Sequence, residues 1–216
     1  AIQEDKDTSR YVYFRTITLL TVYMLPIYVG LIWLAGPFIH VVYGPKWDGS
    51  ATPLSILSVG GIFLCIGHPS GAVLAARNWL GREIVVQAIT TALVAAACFL
   101  GVRWGLEGVA WGLLAAWGYS TLHLNWLASR SIGARFNSLI ASLVPGTILN
   151  GVLCLTLFLT DQLVPEGLRL HGPALYLILM SAIGAFVYAL CFLYLPISAL
   201  AGESARWRRA LRLAHQ

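Results

Sequence analysis

The side chains able to do chemistry in this chain are few, and most stand in apolar surroundings. His68, Gln87, His123, Asn125 and Asn150 each lie inside a long hydrophobic block, accompanied by Thr90, Thr91, Tyr119 and Ser120. An ionised group at mid-bilayer costs on the order of 3 kcal/mol or more, so polar residues in such blocks are where a hydrated path would show. Two readings stand for each: the lining of a cavity that hydrogen-bonds a polar solute, or contacts between helices worth about 0.6 kcal/mol apiece. His123 and Asn125 sit toward the end of their block, where reaching the interface costs little. His68 carries more signal because Pro69 follows it. Proline removes a backbone donor and frees a carbonyl that a membrane helix must satisfy elsewhere. With Gly60, Gly61, Gly67 and Gly71, His68-Pro69 marks a kinked or broken helix of the kind transporters use at binding sites, and Pro26 marks a second kink. A static kink that improves packing is the alternative.

Several constellations are missing from the sequence. No acidic pair, D-x-D cluster, Ser/His/Asp set or H-x-x-x-H spacing falls at one depth, so an intramembrane hydrolase or a metal-dependent transferase lacks its parts. The expectation is a protein without enzymatic activity, metal or cofactor. No carboxylate lies deep within an apolar block, Glu107 standing only at the margin of one; a coupling acid, if one acts here, is at an edge such as Glu83. Cys65, Cys98, Cys154 and Cys191 have no C-x-x-C partner and are expected to be small buried hydrophobes. Gly101, Gly105, Gly108 and Gly112 have neither a preceding strand nor G-K-[ST]. They predict a tight turn and close helix packing.

The elements that must position these residues follow from composition. Of the 216 residues, 58% are hydrophobic and 11% charged, with a mean hydropathy of +0.77. Soluble domains carry about 25% charged residues, so this chain cannot cover a water-facing surface. It reads as an all-α polytopic membrane protein. A span needs about 20 apolar residues, and six blocks qualify, approximately Ile17 to Phe38, Pro53 to Ala75, Ile84 to Val102, Leu106 to Leu127, Leu139 to Thr160 and Pro173 to Pro196. They are continuous and rich in Leu, Ala and Val, unlike the alternating segments of a membrane barrel. The division is a linker over 1–13, six helices over 14–196 and a basic tail over 197–216.

Six spans put both termini on one side, and 11 of the 14 Lys and Arg then fall there, against Lys46, Arg103 and Arg169 opposite. By the positive-inside rule the richer side is cytoplasmic. This dispersion also argues against nucleic acid as a partner. The chain opens on Ala1 and a polar run with no signal-peptide core, which is expected of a fragment preceded by more protein. In the tail, Trp207, Leu211 and Ala214 lie opposite Arg208, Arg212 and His215. That pattern fits either an interfacial helix on anionic lipid or a frayed basic end.

Three motifs then occur in order on alternating sides. Tyr43-Gly44-Pro45-Lys46-Trp47 precedes Pro53-Leu54-Ser55-Ile56-Leu57; Leu74-Ala75-Ala76-Arg77 runs to Gly81-Arg82, stretched by Asn78-Trp79-Leu80; and Gly105-Leu106-Glu107-Gly108-Val109-Ala110 opens a later block. These resemble the G-x-x-W, A-x-G-R and G-x-x-G-V-A motifs of bacterial polysaccharide-export flippases, the oligosaccharide branch of the superfamily that includes MATE-type exporters. The likeness covers residues 10 to 135, and the remainder only by hydropathy.

The resemblance implies two six-helix lobes about a central cavity, this chain being the C-terminal one and the N-terminal transmembrane half its missing partner. It further implies a bacterial inner-membrane location and the flipping of undecaprenyl-diphosphate-linked oligosaccharide for O-antigen, capsule or exopolysaccharide. Membrane lipids and polysaccharide polymerase machinery become expected partners. Arg15, Arg77 and Arg82 would then be candidate diphosphate contacts through charge-assisted hydrogen bonds, or topological determinants only. A MATE-like drug antiporter lobe, a membrane-embedded transferase and a non-transporting assembly subunit are the competing readings.

Overall fold

The computed structural model describes residues 2–165, 167–168, 172–195, 197 and 200–213, without the side chains of 2–6, 136 and 211–213. Arg169, Pro196, Ala214 and His215 from the sequence reading therefore lie outside the described residues, as do the side chains of Lys6, Leu211 and Arg212. The helices are α1 (Ile2–Tyr23), α2 (Leu25–Tyr43), α3 (Ala51–Gly67), α4 (Pro69–Ala76), α5 (Leu80–Gly101), α6 (Gly105–Ser131), α7 (Phe136–Leu163), α8 (Pro173–Tyr194) and α9 (Ala201–Leu213). Short 3-10 turns, Pro45–Ser50 and Val102–Trp104, precede α3 and α6. Among the described residues there is no strand. The protein is an all-α polytopic membrane protein.

Five helical stretches are long and apolar enough to cross a bilayer: Asp7–Tyr43, Pro45–Ala76, Leu80–Ser131, Asn137–Leu163 and Pro173–Tyr194. The third, 52 residues long, would exceed twice the bilayer core as a single rod at 1.5 Å per residue. It doubles back instead. A Cβ at Gly101 would lie 2.7 Å from Val109 backbone, one at Gly108 would strike Trp104 Cβ at 2.7 Å, and one at Gly112 would meet Ala97 Cβ at 2.6 Å. Gly105, at φ +74°, supplies the left-handed step that a side chain would resist. α5 and α6 are thus an antiparallel hairpin zipped by small residues, the arrangement by which helix backbones gain dispersion contact in lipid. Gly44, at φ +86°, makes the corresponding corner after α2, and Trp47 stands exposed on the turn beyond it.

Register follows from side-chain contacts. Ser55 Oγ donates to Ile32 carbonyl at 2.9 Å, holding α3 antiparallel to α2. Thr121 Oγ1 donates to Phe63 carbonyl at 2.7 Å between α6 and α3. Thr18 Oγ1 donates to Ser142 carbonyl at 2.8 Å, and Asn150 Nδ2 to Thr21 carbonyl at 3.1 Å, holding α7 parallel to α1. Tyr176 Oη donates to Asp161 at 2.6 Å, tying α8 to the far end of α7. Residues 1–13, read above as a linker, are continuous with α1 from Ile2. α9, in the tail, is docked by Leu200, which packs with Val22 and Leu149.

Both proline kinks are mild. Met24, between α1 and α2, and His68, between α3 and α4, keep right-handed helical backbone angles. Their chains therefore bend without breaking. Pro37 and Pro145 also lie inside helices. The cysteine expectation needs correction: Cys65 and Cys191 are half-buried, but Cys98 and Cys154 are exposed. Their helix faces point outward from this bundle and not into its core.

Candidate functional site

One polar cluster is buried where α1, α4 and α6 meet. Tyr13 Oη donates to Asn125 Oδ1 at 2.8 Å and lies 3.1 Å from Ser70 Oγ. Asn125 Nδ2 donates to Thr121 carbonyl at 2.8 Å. Tyr13, Ser70 and Asn125 are each at most 2% exposed. Four hydrogen-bonding groups satisfy one another here, so Asn125 faces a packed junction and not an open cavity. Asn150 is buried as well, with Nδ2 bound to Thr21 and Gly146 carbonyls and Oδ1 left without a partner. Thr90 and Thr91 fold their hydroxyls onto carbonyls of their own helix. That is the cheapest way to carry a hydroxyl through lipid.

His68, Gln87 and His123 take a different position, on exposed faces. His123 stacks on Tyr119 with ring centroids 4.1 Å apart and its Nδ1 lies 2.9 Å from Tyr119 carbonyl. Gln87 shares a shallow groove of α5 with Glu83 and Thr91. Glu83 leans on α4, its Oε1 only 2.7 Å from where a Cβ of Gly71 would be. No contact joins these three residues to one another among those described.

The described arginines other than Arg103 gather at the end of the bundle formed by the start of α1, the α4–α5 and α6–α7 turns, and α9. Three of them, Arg10, Arg15 and Arg135, line a wide-open surface cavity of about 880 Å³ between α1 and the start of α7. Arg10 is held in place: its Nε donates to Ile132 carbonyl at 2.7 Å, its Nη2 to Gly133 carbonyl at 2.8 Å, and its Nη1 pairs with Asp7 at 3.2 Å. Arg15 pairs with Glu203 of α9 at 3.0 Å. Of the three arginines singled out from sequence, only Arg15 enters this cavity. Arg77 donates to Ser9 Oγ at 3.2 Å, on α1. Arg82 lies 3.8 Å over the ring of Trp79, a cation–π contact within its own turn. Asn78, at φ +57°, makes that turn, so the segment that interrupts the A-x-G-R motif has a structural use. Gly81 has open space around it. Pro69 is buried at the start of α4.

Arg10 and Arg135 were not among the sequence candidates. Their spacing along the chain gives no hint of proximity, since contacts across 123 residues set it. A second cavity, of about 470 Å³, is apolar and lies between α2, α7 and α8, with Pro26, Leu34, Met180 and Tyr188 on its walls.

Residues 1–52 match a family described as polysaccharide biosynthesis protein. The chain is 26% identical over 114 residues to the lipopolysaccharide biosynthesis protein WzxC of Escherichia coli, covering 52% of this chain and 23% of that protein. It is 23% identical over 197 residues to the teichuronic acid biosynthesis protein TuaB of Bacillus subtilis, covering 91% of this chain and 40% of the relative. The chain is similar to proteins named for polysaccharide biosynthesis. An uncharacterized membrane protein in the cps region of Klebsiella pneumoniae is 25% identical over 114 residues, 52% of this chain and 24% of that one. The chain thus spans at most two-fifths of the length of these polysaccharide-biosynthesis relatives. No solved structure matches.

Proposed function

We propose that this chain is the C-terminal six-helix lobe of a bacterial inner-membrane flippase that moves undecaprenyl-diphosphate-linked oligosaccharide outward for surface polysaccharide. The observation that carries the reading is the arginine-lined cavity at one end of an otherwise apolar bundle, in a chain related to proteins named for lipopolysaccharide and teichuronic acid biosynthesis.

The physical demand on such a protein is to hold a diphosphate and a sugar away from lipid tails without altering either. Guanidinium groups at the cytoplasmic mouth answer the first need, because each offers planar, paired donors to phosphate oxygens. Arg15 would receive the diphosphate in that cavity, with Arg77 and Arg82 at the same end of the bundle but outside its walls, and the cytoplasmic assignment of that end rests on the positive-inside rule. The bends at Met24–Pro26 and His68–Pro69 would let the inner helices tilt between access states, without a covalent step.

Expression of the full-length protein in a strain lacking its flippase is the test. Restored surface polysaccharide supports the reading. Correct insertion with no restoration, combined with acquired drug efflux, would move the protein to the antiporter class.

A further inference from the structure

We propose that the face of α5 carrying Glu83, Gln87 and Thr91 looks onto a water-filled path within the bilayer and takes the hydroxyls of a carbohydrate. The water-facing assignment stands on the geometry alone; the identity of the solute as a sugar rests on the flippase reading.

The three residues recur every fourth position and so stack on one side of the helix, where they border an open groove of about 470 Å³ with Leu80, Ile84 and Ala88. At 1.5 Å per residue, Gln87 lies about 10 Å and Thr91 about 16 Å beyond Leu80 at the start of α5, inside a hydrocarbon core about 30 Å thick. Gln87 and Thr91 are exposed there and Glu83 is half-buried. Neither the Glu83 carboxylate nor the Gln87 amide has an ion pair or hydrogen bond to another side chain among the described residues. A polar group left without partners in hydrocarbon is costly, and such side chains at membrane depth face water or protein. The other exposed side of α5 is apolar, with Val85, Ile89 and Phe99, and suits acyl chains. One helix thus shows two exposed sides of opposite chemistry.

The carboxylate is seated. A Cβ at Gly71 would lie 2.7 Å from Glu83 Oε1, so the missing side chain on α4 is what lets Glu83 rest at the Leu80 end of the groove. Thr91 Oγ1 donates to the Gln87 carbonyl at 2.9 Å, which leaves its oxygen free to accept. Two acceptors therefore flank an amide that both donates and accepts. That set matches neighbouring hydroxyls, each a donor and an acceptor, whereas the Glu83 charge repels a phosphate.

Single cysteines test this in the full-length protein held in nanodiscs, which open both faces to a membrane-impermeant maleimide. With Cys65, Cys98, Cys154 and Cys191 changed to Ser, Gln87→Cys and Thr91→Cys should label about tenfold faster than Val85→Cys and Ile89→Cys, because only a solvated thiolate reacts. Undecaprenyl-diphosphate-linked oligosaccharide should slow labelling at position 87 severalfold, and undecaprenyl diphosphate without sugar should not. The unaltered protein gives a check that needs no substitution. Cys98 is exposed seven positions beyond Thr91, on the same side of α5, and should label when its peptide is followed by mass spectrometry. Labelling at 87 and 91 no faster than at 85 and 89, or an inert Cys98 where the substituted proteins fail to fold, would overturn the water-facing site. Equal protection by both lipids, or by neither, would overturn the sugar. Sugar-dependent protection in a protein that moves nothing between leaflets would instead overturn the flippase reading and leave the groove standing.

Discussion

The hydroxyl of Tyr188 on α8 donates its hydrogen bond to the backbone carbonyl of Val22 on α1. Val22 is the residue whose carbonyl would accept from position 26 in an unbroken helix, and Pro26 has no hydrogen to give. In lipid an unpaired carbonyl costs several kcal/mol, so a kink is admissible only where a neighbour supplies the missing donor. Here that neighbour comes from a helix 166 residues away in sequence.

This pairing predicts a thermodynamic cycle. Tyr188→Phe should lower the stability of the full-length protein in detergent by about 1 to 2 kcal/mol. With Pro26→Ala in the background, the backbone amide restored at position 26 can serve Val22, and the same substitution should cost much less. Thermal unfolding of the four proteins measures the coupling. Equal losses in both backgrounds would mean that Tyr188 acts through packing alone.

Asn125 should behave as a structural residue. Replacing it with Ala leaves Tyr13 and Ser70 partly unsatisfied in a buried junction, at about 1 to 3 kcal/mol. Protein yield and melting temperature should then fall together with polysaccharide export. Export lost at unchanged stability would instead return Asn125 to a lining role.

The α5–α6 hairpin predicts a contrast between two glycines. Gly101→Ala places a methyl 2.7 Å from Val109 backbone, which cannot move aside as a side chain could, and about 1 to 3 kcal/mol should be lost. Gly81→Ala meets open space and should be neutral or slightly stabilising, because alanine is the better helix former. Melting curves of the two variants decide it.

The ion pair between Arg15 and Glu203 should govern how firmly α9 holds the bundle. Both side chains are about three-quarters buried, and Trp207 Nε1 adds a hydrogen bond to Tyr23 Oη at 3.1 Å. Glu203→Gln should raise trypsin cleavage after Arg208 and Arg209 severalfold in membrane vesicles. Unchanged cleavage would show that Leu200 and Trp207 suffice as anchors.

Much of this architecture is legible because lipid imposes length. Blocks of apolar residues bounded by Gly44, Gly105 and the charged turns locate the helices without reference to their partners. The candidate site is less legible, for two physical reasons. Hydroxyls and amides such as Thr90 and Asn125 look alike in sequence whether they line water or close on a neighbour's carbonyl, and only the helix rotation decides. The arginine cluster is assembled by long-range contacts, Arg10 with Ile132 and Gly133 and Arg15 with Glu203. Sequence could place these cations on one side but not in one cavity. Arg82, prominent in a motif, spends its face on Trp79, whereas Arg135, outside every motif, stands open.

The most direct measurement reconstitutes the full-length protein in proteoliposomes with fluorescent undecaprenyl-diphosphate-linked oligosaccharide and follows its appearance in the opposite leaflet. The account predicts protein-dependent translocation that falls about tenfold when Arg15 and Arg77 are both changed to Gln. A label that stays in its original leaflet in the presence of folded, correctly inserted protein would contradict it.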